Sequence, residues 1–403
     1  MYDPPVRLTR ALPGARGRSK QHPSDFRVEE LPAYEPCGEG DHVWFEVRKS
    51  GLTTPDAVAL VAQALGVGPR AIGFAGLKDA RAVTRQWMSL EHVDPERVAS
   101  FHHPKLEVLR VTRHGNKLRL GHLRGNRFAI RLREVPPEDL PHIETVLAVL
   151  AARGVPNYFG EQRFGARGDG WRVGRALLRD DPAEAVALLC GRPSEADTGP
   201  VRRARELFDA GDYEGSARTW PRGFGDSARV ARAMARGRGR PARALRALPR
   251  RLQRLLVSAF QSHLFNRVLG ERIDGIDAVL AGDLAYRHAG GAVFRVADPG
   301  VEQSRARTFE ISATGPLFGR RMSRADGEPG AIEARVEAEE LPGDELARRG
   351  PLAWKGARRP LRVPLADLAV ESGEDEHGPY CELRFALPAG SYATAVLAEV
   401  LRD

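Results

Sequence analysis

The stretch GFAGLKDARAVTRQW, residues 73–87, holds one carboxylate, Asp79, among Lys78, Arg81 and Arg85. A glycine-rich turn can set such an acid at the rim of a cleft, and neighbouring cations favour an ionised carboxylate. An ionised carboxylate serves as a base or as a nucleophile. Taken alone, the same pattern also describes a surface ion pair. Little else in the chain offers chemistry. Cys37, Cys190 and Cys381 lie far apart and give no zinc spacing, redox pair or disulfide framework. The eleven histidines lack metal-ligand spacing. The glycines of GARGDGWRVG are not followed by Gly-Lys-Ser/Thr, so nucleotide triphosphate binding is not expected. No Ser-His-Asp or Cys-His arrangement is readable.

Charge narrows the partner. The 403 residues are 42% hydrophobic and 29% charged, a globular composition long enough for two or three domains. The formal net charge of +9 favours a polyanion, most often nucleic acid. Most of the positive charge is Arg, whose planar fork suits phosphate better than Lys does. No helix-turn-helix or zinc finger points to DNA. No apolar run has signal-peptide or membrane-spanning length, which leads us to expect a reducing, cytoplasmic compartment and no membrane partner.

The elements that must hold Asp79 are legible from periodicity. Residues 1–24 read as an extended basic arm of open path and 25–36 as a strand leaving into a turn. Residues 41–51 alternate through Val43, Phe45 and Val47, a half-buried strand. Residues 53–66 predict a helix with Thr54 as cap, Pro55 in the first turn and Gly66 as stop. Its buried stripe would be Ala57, Leu60, Val61, Ala64 and Leu65. Strands are expected after Asp79 and over 105–112, 116–123 and 126–135. In the last, Phe128, Ile130 and Leu132 face one way. Arg127, Arg131 and Arg133 face the other, which reads either as a basic surface suited to a phosphate backbone or as a merely solvated face. The result is an antiparallel-rich α+β arrangement.

Composition shifts near residue 154. The segment 227–270 has eleven arginines and no acid, read as an RNA contact against the plainer reading of a solvated helix face. Residues 326–345 reverse the sign, with eight acids and one Arg. Residues 383–403 close as strand, turn and helix.

GFAGLKDARAVTRQW resembles the catalytic motif of the TruD family of tRNA pseudouridine synthases. Further blocks match in family order: KQHPSDFRVEELP (20–32), KLRLGHLRGNRFAIRLREV (117–135), GVPNYFGEQRFG (154–165), SAFQSHLFNRVL (258–269) and LPAGSYATAVLAEVL (387–401). The pattern is poorly visible over 166–257 and 320–375. The resemblance implies a pseudouridine synthase fold, a mixed, mainly antiparallel sheet flanked by helices, over 1–153 plus 359–403. An α/β TRUD domain would be inserted at 154–358. It implies Asp79 as the catalytic residue and Phe26 as an aromatic at the target site. Asn126 and Phe128 would contact substrate, Tyr392 stands where the family often has Phe, and Lys20 would lie near the active site. Without the resemblance, Phe26 and Phe128 read as core. The implied reaction isomerises uridine to pseudouridine in tRNA, at uridine 13 in the D arm, with no cofactor, no metal and no protein partner. The alternatives are the same chemistry on another structured RNA, or a non-catalytic RNA-binding protein; Asp79 within an intact motif argues against the latter.

Overall fold

Strand phase decides which residues face the site. Nine strands form one sheet: β1 (Phe26–Pro32), β2 (His42–Ser50), β3 (Gly73–Phe74), β4 (Val83–Glu91), β5 (His102–His103), β6 (Leu106–His114), β7 (Leu123–Arg133), β8 (Ala366–Asp375) and β9 (Gly378–Pro388). Their order is β8-β9-β7-β1-β4-β2-β6-β5, with β3 added to β4. Only β1 and β4 run parallel; every other pair is antiparallel. The register aligns Lys49, Thr84, Val28, Phe128 and Phe385 in one cross-strand row, and Arg48, Arg85, Glu29 and Arg127 in the next. Adjacent rows point to opposite faces, so one face is apolar with a few buried polar groups and the other is charged.

The computed structural model describes residues 5–341, 343, 352 and 354–402. Contacts divide the chain into two units, Arg7–Val155 with Val363–Asp403, and Met1–Val6 with Pro156–Arg362. In the first, the Thr54–Leu65 helix lies over Val43, Phe45, Val47, Met88 and Leu90. Each such buried side chain is worth roughly 1.5–3 kcal/mol. Thr53, not Thr54, caps this helix, in a reciprocal box with Asp56. Val58 and Ala62 replace Leu60 and Ala64 in the buried stripe. Thr54 is buried too, because it has another task near Asp79. The Leu140–Arg153 and Ala393–Val400 helices pack on each other elsewhere in this unit.

One expectation changes and one open path is settled. Residues 116–122 form a loop, not a strand. Leu118 N donates to Ser89 Oγ at 2.8 Å and Gly121 N to the Ala75 carbonyl at 2.9 Å, so the segment folds back on the Asp79 loop. Gly73 permits this approach, since a Cβ there would stand 2.2 Å from the Leu118 carbonyl. The basic arm, whose path the sequence leaves open, is pinned, with bridges from Ala15 to Leu401 and from Arg18 to Arg133. Leu8 N and Thr9 N each donate to the buried Glu399 carboxylate at 2.9 Å, and Ala15 N donates to the Val400 carbonyl. Residues 1–4 lie outside the described residues.

The second unit combines helices with a four-stranded antiparallel sheet, whose order is Val293–Arg295, Leu284–Arg287, Ile311–Leu317, Ala357–Pro360. The Arg250–Glu271 helix runs through its main core. A second cluster, from Val186 and Cys190 to Leu248, ties five shorter helices together. Burial there pushes the Cys190 thiol up to about 12. The GVPNYFGEQRFG and SAFQSHLFNRVL blocks meet in this unit. Asn266 bridges the Phe159 backbone in both directions at 2.9 Å, and Arg163 Nε donates to Ser262 Oγ at 3.1 Å. Their contacts with each other are structural.

Candidate active site

Asp79 sits in the loop between β3 and β4 with its side chain 46% exposed. Two buried lysines fix that loop. Lys78 plunges to Glu30 at 2.8 Å, a pair almost wholly out of water. The Lys78 backbone N donates to Thr54 Oγ1 at 2.9 Å, and Thr54 Oγ1 donates to Gln86 Oε1 at 2.9 Å. Lys49 Nζ donates to the carbonyls of Leu52 at 2.6 Å, Asp79 at 3.2 Å and Lys78 at 3.5 Å. Burial pushes the Lys49 ammonium down to about 8; the charge of Asp79 acts the other way. Burial likewise raises Glu30, against the pull of Lys78. A buried pair left with one member costs several kcal/mol, so the loop has one strongly preferred conformation.

The Asp79 carboxylate emerges beside Lys20, whose Nζ is 4.0 Å away. Lys20 has a left-handed backbone, φ 59°, and its Nζ lies 4.3 Å from the Phe26 ring centroid. Phe26 meets Phe128 edge to face at 6.2 Å, and Phe128 leans on Phe385 at 5.4 Å. Phe26 and Phe128 are both buried. The structure thus brings Lys20, Phe26, Phe128 and Asp79 into one chain of contacts. Asn126 stands opposite Glu30 on β1 and Leu387 on β9. Its Oδ1 is buried with no hydrogen-bond partner among the described residues, a deficit worth about 1–3 kcal/mol that a ligand donor would relieve. Tyr392 is 39% exposed at the cap of the Ala393–Val400 helix, just beyond β9.

The sequence reading names Lys78 only as a cation beside Asp79 and Thr54 only as a helix cap, and it does not reach Lys49 or Glu30. A signal existed. Lys49 follows Val43, Phe45 and Val47 in phase, and Glu30 follows Phe26 and Val28 in phase, so each puts a charge where the alternation demands an apolar residue.

The charged face overturns the expectation of a basic surface. Glu382 accepts from Arg131 at 2.9 Å, from Arg384 at 2.7 Å and from Arg27. Asp375 bridges Arg131 at 2.6 Å and Arg133 at 2.7 Å, and Arg133 also holds the buried Asp25 at 2.5 Å. Arg127 reaches Asp367 at 3.3 Å and Glu29 at 3.5 Å. These arginines are neutralised in place, because other strands of the sheet and the turn before β1 supply the carboxylates.

Comparisons with known proteins agree with one another. The family model described as tRNA pseudouridine synthase D (TruD) matches residues 7–400. A tRNA pseudouridine synthase D of Geotalea daltonii is 45% identical over 397 residues, 98% of this chain and 99% of that protein. The tRNA pseudouridine synthase D of Geobacter metallireducens is 46% identical over 396 residues, 98% and 97% of the two chains. The crystal structure of a putative tRNA pseudouridine synthase D (TruD) from Methanosarcina mazei superposes with TM-score 0.84 at 28% identity, covering 99% of this chain and 96% of the other.

Proposed function

The chain belongs to the tRNA pseudouridine synthase D (TruD) family, isomerases that convert uridine to pseudouridine in tRNA, and from that premise we propose that Asp79 is the catalytic carboxylate and that its target is uridine 13 in the D arm. The observation that carries this reading is the setting of Asp79: an exposed carboxylate on a backbone clamped by buried Lys49 and Lys78. Positioning of that kind is what a reacting group needs, since a misplacement of about 1 Å can cost about a hundredfold in rate.

The reaction breaks the N1–C1′ bond, rotates the uracil and joins C5 to C1′. C5 loses a proton and N1 gains one, so composition is unchanged and no redox partner is needed. Asp79 serves either by attacking C1′ or by removing the C2′ proton; both routes use the same carboxylate. The base must leave the stack to reach it, at a cost of a few kcal/mol. Phe26 supplies a ring once Lys20 moves from its face, and Phe128 backs that ring. A ring–base stack returns about 1–3 kcal/mol. Asn126 Oδ1 is an acceptor without a partner among the described residues, suited to the uracil N3–H. Tyr392 would close the site from the end of β9. We take Pro156–Arg362 as the inserted TRUD domain. No described helix is long and apolar enough to cross a membrane, and a tRNA substrate points to the cytoplasm.

The test is Asp79→Asn, assayed by pseudouridine mapping on a tRNA transcript. Isomerisation should vanish while tRNA affinity stays within about tenfold, because phosphate contacts supply most of the binding. Turnover by the purified variant would remove Asp79 from the chemistry.

A further inference from the structure

Between Arg229 and Arg254 the second unit carries ten arginines, all exposed. Three features set them apart from ordinary surface charge. Six of them lack counter-charges: Arg229 pairs with Asp226 at 2.8 Å, but Arg232, Arg236, Arg238, Arg240, Arg243 and Arg246 make no ion pair with any described residue. The acid-rich segment that follows in this unit spends its carboxylates on other arginines. On the Gly327–Glu340 helix, Glu333 binds Arg358 at 2.7 Å, Glu337 binds Arg324 at 2.9 Å and Glu340 binds Arg267 at 2.9 Å.

They are also displayed by the fold. The Gly225–Arg236 helix buries Val230, Ala231 and Met234 in its cluster and turns Arg229, Arg232 and Arg236 outward, three and four residues apart. Like charges at that spacing repel. Arg238 is held in the left-handed region, φ 52°, in the turn that follows. Arg250 and Arg251 occupy the first turn of a 22-residue helix that has no acid in that turn and no side-chain cap. Cations there oppose the helix dipole and leave a doubly positive end. The arrangement costs stability unless an anion completes it.

The chemistry of the face selects the anion. In sequence no aromatic residue lies between Phe224 and Phe260; Tyr213, whose ring lies beside Gly239, is half-buried against the helical cluster, and Leu255 is the one exposed large apolar side chain in this stretch. A protein partner would be expected to find exposed aromatic anchors, and single-stranded bases would need exposed rings to stack on. Guanidiniums without exposed rings read phosphates. We infer that this arginine face grips the phosphate backbone of a double-helical part of the RNA substrate, as a positioning contact that carries no sequence information. The inference rests on RNA being the substrate.

The test is the triple variant Arg236→Gln/Arg238→Gln/Arg240→Gln, with Arg→Lys at the same sites as the charge-preserving control. Binding of unmodified tRNA is titrated against salt, and single-turnover isomerisation is measured at saturating tRNA. The Gln variant should show a log–log salt slope smaller by about 0.9 per lost duplex phosphate contact, roughly 2–3 in all, and about tenfold or more weaker binding. Turnover at saturation should change less than threefold, since the contact serves ground and transition states alike. The Lys variant should keep the slope. A short RNA duplex should compete for the face better than an equally charged single strand or polyglutamate. An unchanged slope in a folded Gln variant, checked by circular dichroism, overturns the inference, as does equal competition by polyglutamate. Wild-type activity separates the two readings: absent turnover refutes the isomerase assignment, whereas active wild type with an unchanged slope refutes this surface alone.

Discussion

Two regions of the chain are rich in arginine and treat it in opposite ways. On the nine-stranded sheet, Arg27, Arg127, Arg131, Arg133 and Arg384 each meet a carboxylate from the sheet itself or from the turn that leads into β1. On the helices around Arg229–Arg254, six consecutive arginines from Arg232 to Arg246 have no described acidic partner. Periodicity makes both look basic, because it sees one element at a time. Cross-strand neighbours 4.5–5.5 Å apart can supply the missing acid, while a helical run whose acids bind elsewhere cannot be balanced. Guanidinium density alone therefore does not mark an anion site; density without nearby carboxylates does.

The comparison breaks first at Arg133, where the largest effect is expected. This guanidinium joins Asp25, which is fully buried, and Asp375. Arg133→Met would strand a buried carboxylate and should cost about 3–5 kcal/mol in urea unfolding. The hydrogen bond from Arg133 holds the Asp375 carboxyl well below its ordinary value of 3.8. The depressed folded pKa means that its stabilisation is present above about pH 4 and is lost as pH falls further. Acid unfolding of wild type should steepen below that point, and Arg133→Met should flatten the slope. An Arg133→Met protein of wild-type stability would show that pairing on the sheet is incidental.

A buried cation that binds backbone instead of acid should move chemistry rather than affinity. Lys49→Met leaves three loop carbonyls without their donor. Single-turnover rate should fall about 10–100-fold, with tRNA affinity within a few fold, as expected for displaced catalytic geometry. Lys49 is held at about 8 against an ordinary 10.5, so the folded protein gives up this proton before the unfolded chain does. The burial penalty is thus present below about pH 8 and relieved above it, but the charge that anchors the loop disappears over the same window. Wild-type turnover should decline as pH rises past about 8, and Lys49→Met should lack that alkaline limb. Identical profiles would remove Lys49 from loop positioning.

Much of this was legible in the sequence, and the gaps have physical causes. Val43, Phe45 and Val47 gave the phase of β2, and Asp79 stood out by type and spacing. The Lys20–Phe26–Asp79 proximity was readable only through motif resemblance, since it depends on β1 and β4 pairing in parallel across fifty residues. The loop at 116–122 imitated a strand because Leu118 and Leu120 alternate; Leu118 is buried and Leu120 is 69% exposed, but the backbone bonds go to Ser89 and Ala75. The pairing of the sheet arginines is a cross-strand property with no local signature.

The smallest effect asks whether paired arginines become an anion site once released. Asp367 and Glu371 lie on the edge strand β8, more than half exposed, and pair with Arg127 and Arg384. Exposed pairs are worth about 0–1 kcal/mol each, so Asp367→Asn/Glu371→Gln should fold with nearly wild-type stability. Arg127 would keep only the 3.5 Å contact to Glu29, and Arg384 only Glu382. If carboxylate pairing is what silences the sheet face, releasing two guanidiniums should raise non-specific RNA affinity severalfold at low salt and steepen the salt slope by up to about 1–2. The measurement is a salt titration with an RNA that lacks a modifiable uridine, so that catalytic-site binding does not mask the change. An unchanged slope would mean that geometry, not neutralisation, keeps RNA off the sheet, and the contrast between the two regions would have to rest on display rather than on charge.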